Sequence, residues 1–109
     1  MTSTLIPNPA FGRIGIMGRA NKPSVIQSIY QICDFFHEQG LPLLIDHQTA
    51  RLPALDFARL GDIATIERSL LGGACDLVIV VGGDGSLLHA AQVLVKHKVP
   101  VVGVNRGRL

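Results

Sequence analysis

The sequence predicts an α/β fold built on a doubly wound parallel sheet, and three observations lead to this class. Short apolar runs typical of buried strands alternate with stretches whose apolar residues recur every three or four positions, as on one helix face. The most apolar run, residues 77–81, leads directly into a glycine-rich turn. The alternation implies right-handed crossovers whose helices cover both faces of the sheet. We expect a single domain of this kind over residues 1–109.

The first strand and the first helix follow a short N-terminal arm. Residues 1–10 contain two prolines among small polar residues, so we expect a flexible arm that leads into a strand over residues 13–17. A loop with Arg19 comes next, and the proline after it suits the first turn of a helix. This helix is predicted over residues 23–39, with Gly40 as its C-terminal stop, because its apolar residues share one face. Those residues are Val25, Ile26, Ile29, Ile32, Cys33 and Phe36.

The middle of the chain is less regular. A second strand is predicted over residues 41–46, whereas residues 48–61 form a loop with room for a short helix at 54–60. Residues 63–71 have helical spacing that Gly72-Gly73 would end, although their β-branched residues weaken the pattern. The sequence therefore does not determine the structure of residues 48–73.

The last third of the chain continues the alternation. A third strand over residues 76–81 enters the glycine turn, and a helix over residues 86–97 leaves it with an apolar side toward the sheet. A fourth strand over residues 99–104 ends in a loop at residues 105–108. Loops that carry glycine or basic residues therefore follow the carboxyl ends of three strands.

The order of the strands decides which of these loops meet. We expect the order 2-1-3-4, in which the winding reverses between the first and third strands, as in Rossmann-like domains. Ligands of open α/β sheets bind in the crevice at such a point. This order places the loop of Arg19 opposite the loop of Asp84.

The segment Gly82-Gly83-Asp84-Gly85-Ser86 has the composition of a phosphate cradle. Glycines let the backbone approach a ligand and permit positive φ angles. A helix that begins at about Ser86 adds the unpaired N–H groups of its first turn and the positive end of its dipole. A carboxylate beside a bound phosphate is repelled unless it handles a proton, a hydroxyl or a metal, which makes Asp84 a candidate for that role. An Asp-Gly pair also occurs in simple tight turns.

Several other kinds of site are not supported. The Gly-Lys-Ser or Gly-Lys-Thr sequence of a Walker-type phosphate loop is absent, and the glycines of the first strand lack the GxGxxG spacing of dinucleotide-binding turns. Cys33 and His37 lack a second pair of ligands, so no metal site is predicted. Both cysteines are expected to be reduced, buried thiols. For His89, a half-exposed helix position without a role is the commoner case.

Charge and composition limit the partners. The net charge of +2 comes with basic residues that are spread along the chain, so no nucleic-acid partner is implied. The sequence begins without the pattern of a leader peptide and has no apolar run long enough to span a membrane, so we expect a cytoplasmic protein. Charged residues make up 17% of the chain, below the usual value of about 25%. We therefore expect a second domain or a second subunit to cover part of the surface.

Two segments carry a resemblance to a known family. Residues 76–88, which include the glycine turn, and the ending Asn105-Arg106-Gly107-Arg108-Leu109 resemble the N-terminal domain of the bacterial NAD kinases. Residues 14–19 are similar too. The Gly-Gly-Asp-Gly turn alone is less specific, because 6-phosphofructokinases and diacylglycerol or sphingosine kinases have similar turns. The ending after the fourth strand favours NAD kinase.

The resemblance implies a function and a set of site residues. NAD kinases transfer the γ-phosphoryl group of ATP, with a divalent metal ion such as Mg²⁺ or Mn²⁺, to the 2′-hydroxyl of the adenosine ribose of NAD, which gives NADP. Carried over to this sequence, Asp84 is the proton acceptor, and Asp84 and Gly85 contact NAD. The other residues expected to bind nucleotide are Gly82, Gly83, Ser86, Leu87, Arg19, Asn105 and Arg106.

The resemblance also shows what this sequence lacks. The family continues after the position of Leu109 with Gly-Phe-Leu and a second, β-rich domain, which supplies an Asn-Glu or Asn-Asp pair and most of the NAD site. We therefore expect this chain to be the first domain of a longer, homo-oligomeric enzyme and to be inactive alone. Two alternatives stay open: another kinase with this turn, acting on a sugar phosphate or a lipid, and a non-catalytic nucleotide-binding module.

Overall fold

A computed structural model describes residues 12–106, apart from the side chains of Asp84 and Ser86. In this part of the chain, parallel strands form one sheet: β1 (Ile14–Gly18), β2 (Leu43–Asp46), β3 (Ala64–Ile66), β4 (Leu77–Gly82) and β5 (Val101–Asn105). The helices are α1 (Pro23–Glu38), α2 (His47–Ala50), α3 (Arg68–Ala74) and α4 (Asp84–Leu94), with 3-10 turns at Phe57–Leu60 and Val95–His97. The predicted α/β class is confirmed. The predicted arm over residues 1–10 and the end of the last loop, residues 107–109, lie outside the described residues.

The strands lie in the order β3-β2-β1-β4-β5. The predicted strands correspond to β1, β2, β4 and β5 and keep their expected relative order. The order 2-1-3-4 is nevertheless incomplete, because an additional strand, β3, pairs with β2 at the edge of the sheet. The winding reverses between β1 and β4, where Gly18 is in register with Val81.

A strand and a shorter helix replace the single helix that the sequence predicts over residues 63–71. Ala64–Ile66 is extended and pairs in parallel with β2. Thr65 and Ile66 are β-branched and favour an extended backbone, and here that preference prevails over the helical spacing. The helix α3 begins only at Arg68.

The paired glycines of α3 do not end the helix, which continues to Ala74. A Cβ atom at Gly72 would lie 2.8 Å from the His97 ring and 2.9 Å from the Leu94 side chain. Glycine therefore serves close packing between α3 and the end of α4 rather than helix termination.

The segment between β2 and β3 is more ordered than the predicted loop. The helix α2 follows β2 directly, because the Asp46 carboxylate accepts hydrogen bonds at 3.1 Å from two N–H groups of the first turn. The short helix predicted at residues 54–60 is a 3-10 turn at Phe57–Leu60. Asn21 and Tyr30 hold this segment through side-chain oxygens that accept backbone hydrogen bonds at 2.7 and 2.9 Å.

The two long helices match their predicted extents to within a few residues. The helix α1 starts at Pro23, and Gly40 follows it with φ 74°, as a C-terminal stop requires. The helix α4 starts at Asp84 rather than Ser86, and residues 95–97 form a 3-10 turn. Asp84 therefore belongs to the first turn of this helix.

Helices cover both faces of the sheet, as predicted. Val25, Ile29 and Cys33 of α1 lie in one buried cluster, and Leu71 of α3 and Leu94 of α4 lie in the other. Both cysteines are free and buried, and burial raises the pKa of Cys33 to about 12 and that of Cys75 to about 11. No helix in the described part of the chain is long and apolar enough to cross a membrane.

Large apolar side chains stay exposed on α4 and on the edge strand β5. Leu88 of α4 is 65% exposed, and Val101 and Val102 of β5 are 43% and 48% exposed. In the described residues β5 pairs only with β4. These exposed side chains agree with the expectation that another protein surface covers part of the domain, which stays a prediction.

Candidate functional site

The carboxyl ends of β1, β4 and β5 bring the three predicted loops together. The backbone N–H of Arg19 donates to the carbonyl of Val81 at 3.2 Å, and that of Arg106 donates to the carbonyl of Gly82 at 2.7 Å. The glycine turn therefore lies between the loops of Arg19 and Arg106. It occupies the point where the winding reverses, which is the usual position of a ligand in an open α/β sheet.

The glycine turn joins β4 to α4 with an extended backbone. Gly82 is the last residue of β4, and Gly83 precedes α4 with φ −95° and ψ −168°. Neither Gly83 nor Gly85 has a positive φ, although glycine would permit one. A Cβ atom at Gly85 would meet no atom within 4 Å, so packing does not require glycine there. A glycine here leaves the N–H groups of the first turn accessible to a ligand.

Arg68, the first residue of α3, organises the centre of the site. Its Nε donates to Asp46 Oδ2 at 2.8 Å. One terminal nitrogen donates to the Gly18 carbonyl at 3.1 Å and to Thr49 Oγ1 at 3.2 Å. Only 9% of the Arg68 side chain is exposed, and the Asp46 side chain is fully buried. A buried guanidinium therefore ties the carboxyl ends of β1 and β2 to the start of α3.

The hydroxyl of Thr49 completes this network. It accepts a hydrogen bond from the Gly18 N–H at 2.8 Å. Its single hydrogen has two acceptors within reach, Asp46 Oδ1 at 2.5 Å and the Gly18 carbonyl at 3.1 Å. Side chains from α2 and α3 thus fix both polar groups of the Gly18 backbone, from which the Arg19 loop departs.

His89 lies at the border of the network, one helical turn beyond Gly85. Its Nε2 is 3.4 Å from a terminal nitrogen of Arg68, so a neutral imidazole can accept a hydrogen bond there. Burial is the main cause that lowers the pKa of His89, and the positive charges of Arg19 and Arg68 lower it further, against a smaller opposite effect of Asp46. His89 is half-buried, as expected for this helix position, and its ring contacts Arg68 at the border of the network.

A cavity of about 390 Å³ opens beside the network, and we call it the β2–β3 cavity because its wall follows the carboxyl ends of these strands. Its lining residues are His47, Gln48, Arg51, Glu67, Arg68, Ser69, His89 and Val93. Because Arg68 and His89 belong to both the cavity and the network, the cavity continues the site that begins at the glycine turn.

The sequence-predicted residues lie at this same edge of the sheet. Arg19, Arg106 and Gly85 are exposed, and Leu87 is at the border of exposure. Asn105 is the last residue of β5 rather than part of the loop. Asp84 and Ser86 are in the first turn of α4, and Gly82 and Gly83 lead into it. Binding by these residues and catalysis by Asp84 stay predictions.

The sequence pattern does not identify Asp46, Thr49 and Arg68 as a group. Asp46 and Thr49 have the spacing of a helix cap, and this signal was available at the end of the second predicted strand. Arg68 carries no such signal, because its role depends on the start of α3 and on the strand order.

A parallel α/β domain with a glycine-rich turn at its winding reversal defines a class of anion-binding and mainly nucleotide-binding proteins. Within this class, the family model described as "ATP-NAD kinase N-terminal domain" matches residues 14–109. The chain therefore belongs to the ATP-NAD kinase family, and it matches the N-terminal domain of that family.

Relatives agree with this membership, and a solved structure shares the fold. The chain is 57% identical over 104 residues to an NAD kinase of Psychrobacter arcticus and 49% identical over 100 residues to one of Acinetobacter baylyi. These matches cover 95% and 92% of this chain but 32% and 31% of the relatives, so the chain spans about a third of their length. A crystal structure of yeast NADH kinase complexed with NADH shares the fold, with a TM-score of 0.70 and 21% identity over 89% of this chain and 30% of that one.

Proposed function

We propose that this chain provides the phosphate-binding part of an NAD kinase, a transferase that makes NADP from NAD and ATP. The observation that supports it most is the glycine turn at the winding reversal, from which α4 starts at Asp84. Family membership favours the ribose 2′-hydroxyl of NAD as acceptor over a sugar phosphate or a lipid. It also favours a kinase over a module that only binds nucleotides.

The roles of the residues follow from the needs of phosphoryl transfer. The N–H groups of the first turn of α4, with the positive end of the helix, hold phosphate oxygens, and Arg19 and Arg106 add positive charge on either side. A divalent ion such as Mg²⁺ or Mn²⁺, bound to the phosphates of ATP, supplies further charge neutralisation. Asp84 takes the proton of the 2′-hydroxyl while the hydroxyl oxygen forms a bond to the γ-phosphorus of ATP. The bond between that phosphorus and the oxygen of the departing ADP breaks.

The chain provides only part of such a site. Because it spans about a third of the curated relatives, we propose that the rest of the NAD site comes from sequence that the relatives have outside the matched segment. Assembly as a homo-oligomer and a cytoplasmic location stay predictions.

A chimera tests the proposal. Residues 14–106 of this chain replace the matching segment of the Psychrobacter arcticus NAD kinase, which is 57% identical. We expect the chimera to form NADP, and we expect Asp84→Asn to lower its turnover by about 10²–10⁴, the usual contribution of a general base. Nucleotide affinity should be nearly unchanged, because Asn keeps the size and one acceptor oxygen.

The control variant is Asp34→Asn, because Asp34 is an exposed carboxylate that forms a surface ion pair with Arg59. It should have the turnover of the parent chimera. Parent turnover in the Asp84→Asn chimera would mean that Asp84 only shapes the turn. A chimera that folds and binds ATP but makes no NADP would support the nucleotide-binding module instead.

A further inference from the structure

Two charged side chains of opposite sign line the β2–β3 cavity, and no side chain in the described part of the chain pairs with either of them. The Arg51 guanidinium and the Glu67 carboxylate are exposed, and neither has a hydrogen bond or an ion pair with any residue in the described part of the chain. Glu67 precedes α3, but its side chain makes no capping bond. A free phosphate would be attracted by the first group and repelled by the second. The pair instead suits a ligand that offers both a phosphate and neutral hydroxyl groups.

A ribose with two adjacent hydroxyl groups fits the carboxylate. In many doubly wound domains, the acidic residue at the end of the second strand accepts hydrogen bonds from the ribose. Asp46 holds that position here, but it is fully buried and accepts from Arg68, from Thr49 and from two backbone N–H groups. Its complete burial within the domain closes this carboxylate to a ligand. Glu67 follows the neighbouring strand, whose Ile66 is in register with Asp46, and offers a free carboxylate at the same edge.

The cavity is also placed and sized for part of a nucleotide. Its wall includes His89, which is one helical turn beyond Gly85, so the cavity lies close to the first turn of α4. Its volume of about 390 Å³ lies in the lower part of the range of small-molecule sites, about 300–1,000 Å³. Val93 supplies an apolar surface in this wall.

We propose that the β2–β3 cavity binds the nucleoside end of a nucleoside phosphate, with Glu67 accepting hydrogen bonds from the ribose hydroxyls and Arg51 compensating phosphate charge. This assignment rests on the proposed function and extends it, because the nucleoside phosphate in the cavity is then ATP, the phosphoryl donor. The acceptor NAD has the same chemistry in its adenosine half, so the experiment includes both.

The test measures the binding of ADP with Mg²⁺, of 2′,3′-dideoxy-ADP with Mg²⁺, and of NAD to the 109-residue chain by titration calorimetry. The chain should bind ADP about tenfold more tightly than the dideoxy compound, the typical effect of a hydrogen bond to a charged group. Glu67→Ala should weaken ADP binding and abolish this preference. Arg51→Gln should weaken both nucleotides equally and keep the preference.

Two control variants match Glu67→Ala and Arg51→Gln, and each removes one charge of the same sign near the amino ends of the strands. They are Glu38→Ala at the end of α1 and Lys96→Gln after α4. Both should bind like the parent chain, and thermal unfolding should show that all four variants fold. An effect of Glu67→Ala on NAD instead of ADP would support the cavity as a nucleoside site and identify the acceptor as its occupant.

The proposal is overturned if ADP and the dideoxy compound bind equally to the parent chain, or if Glu67→Ala leaves both ADP and NAD binding unchanged. It is also overturned if the chain binds no nucleotide. The proposed function has a separate readout, since the Asp84→Asn chimera loses turnover whether or not Glu67 contacts the ribose.

Discussion

Arg68 and Asp46 form a buried ion pair, with Arg68 Nε 2.8 Å from Asp46 Oδ2. The pair joins the first residue of α3 to the last residue of β2, and the same guanidinium reaches the backbone of β1 at Gly18. The Arg19 loop and the wall of the β2–β3 cavity therefore have one common support. Loss of this ion pair should lower the stability of the domain and change the shape of the site.

We expect Arg68→Gln to lower the free energy of unfolding by about 3–5 kcal/mol, because it leaves the buried Asp46 carboxylate without its positive partner. Urea denaturation measures this effect. The double variant Asp46→Asn with Arg68→Gln should lose less than the sum of the two single variants. Additive losses would show that the two side chains are not coupled. The control is Asp34→Asn, whose exposed pair with Arg59 at 3.8 Å should be worth less than about 1 kcal/mol.

The pKa of His89 should lie below the ordinary histidine value. Burial and the charges of Arg19 and Arg68 lower it, so the ring stays neutral to a more acidic pH than a free histidine. Titration of the ring signals by NMR measures this pKa. Arg19→Gln should raise it, because one repelling charge is removed, whereas the remote Arg59→Gln should not change it. A His89 pKa that is insensitive to Arg19 would contradict the proximity of these two side chains.

Gly85→Ala should separate the needs of the fold from those of the ligand. No atom lies near the position of the new Cβ, and alanine favours a helix over glycine, so unfolding should cost up to about 1 kcal/mol more. Affinity for ADP should nevertheless fall, by about tenfold for the loss of one N–H bond to phosphate. Gly15→Ala is the converse control, since its Cβ would lie 2.8 Å from Cys75 Sγ and should destabilise the core by about 1–3 kcal/mol. Undiminished ADP binding by Gly85→Ala would mean that no ligand approaches this backbone closely.

The 109-residue chain alone should produce no NADP, because it matches only about a third of the relatives' length. An enzymatic cycling assay for NADP measures this, with the active chimera as the positive control. NADP formation by the purified chain that Asp84→Asn abolishes would contradict the expectation and show that the described domain holds a complete site.

The sequence predicted those parts of the fold in which local pattern and tertiary environment agree. The apolar face of α1, the stop at Gly40 and the run into the glycine turn are local signals that the sheet reinforces. Around Thr65, two local preferences conflict, and pairing with β2 decides in favour of a strand. Gly72 wrongly indicated the end of a helix, because glycine is needed there for close packing against His97 and Leu94.

The candidate site was predictable only in its backbone part. Glycines beside an acidic residue after a buried strand point to a phosphate cradle without knowledge of any other strand. Arg68 and Glu67 are ordinary charged residues in the sequence, and they come to line the β2–β3 cavity only because β3 pairs with β2. No local pattern gives that pairing.

The pairing of β1 with β4 has a kinetic consequence. It brings Ile14 beside Leu77 and Gly18 beside Val81, so the central seam of the sheet joins segments that are separated by most of the domain. Closing so long a loop costs chain entropy before any contact is gained, and parallel pairings of this kind form slowly. The crevice between Arg19 and the glycine turn lies on this seam. A newly synthesised chain can thus form α1 early, but it forms the crevice in which we propose a phosphate binds only after β4 has left the ribosome and paired with β1.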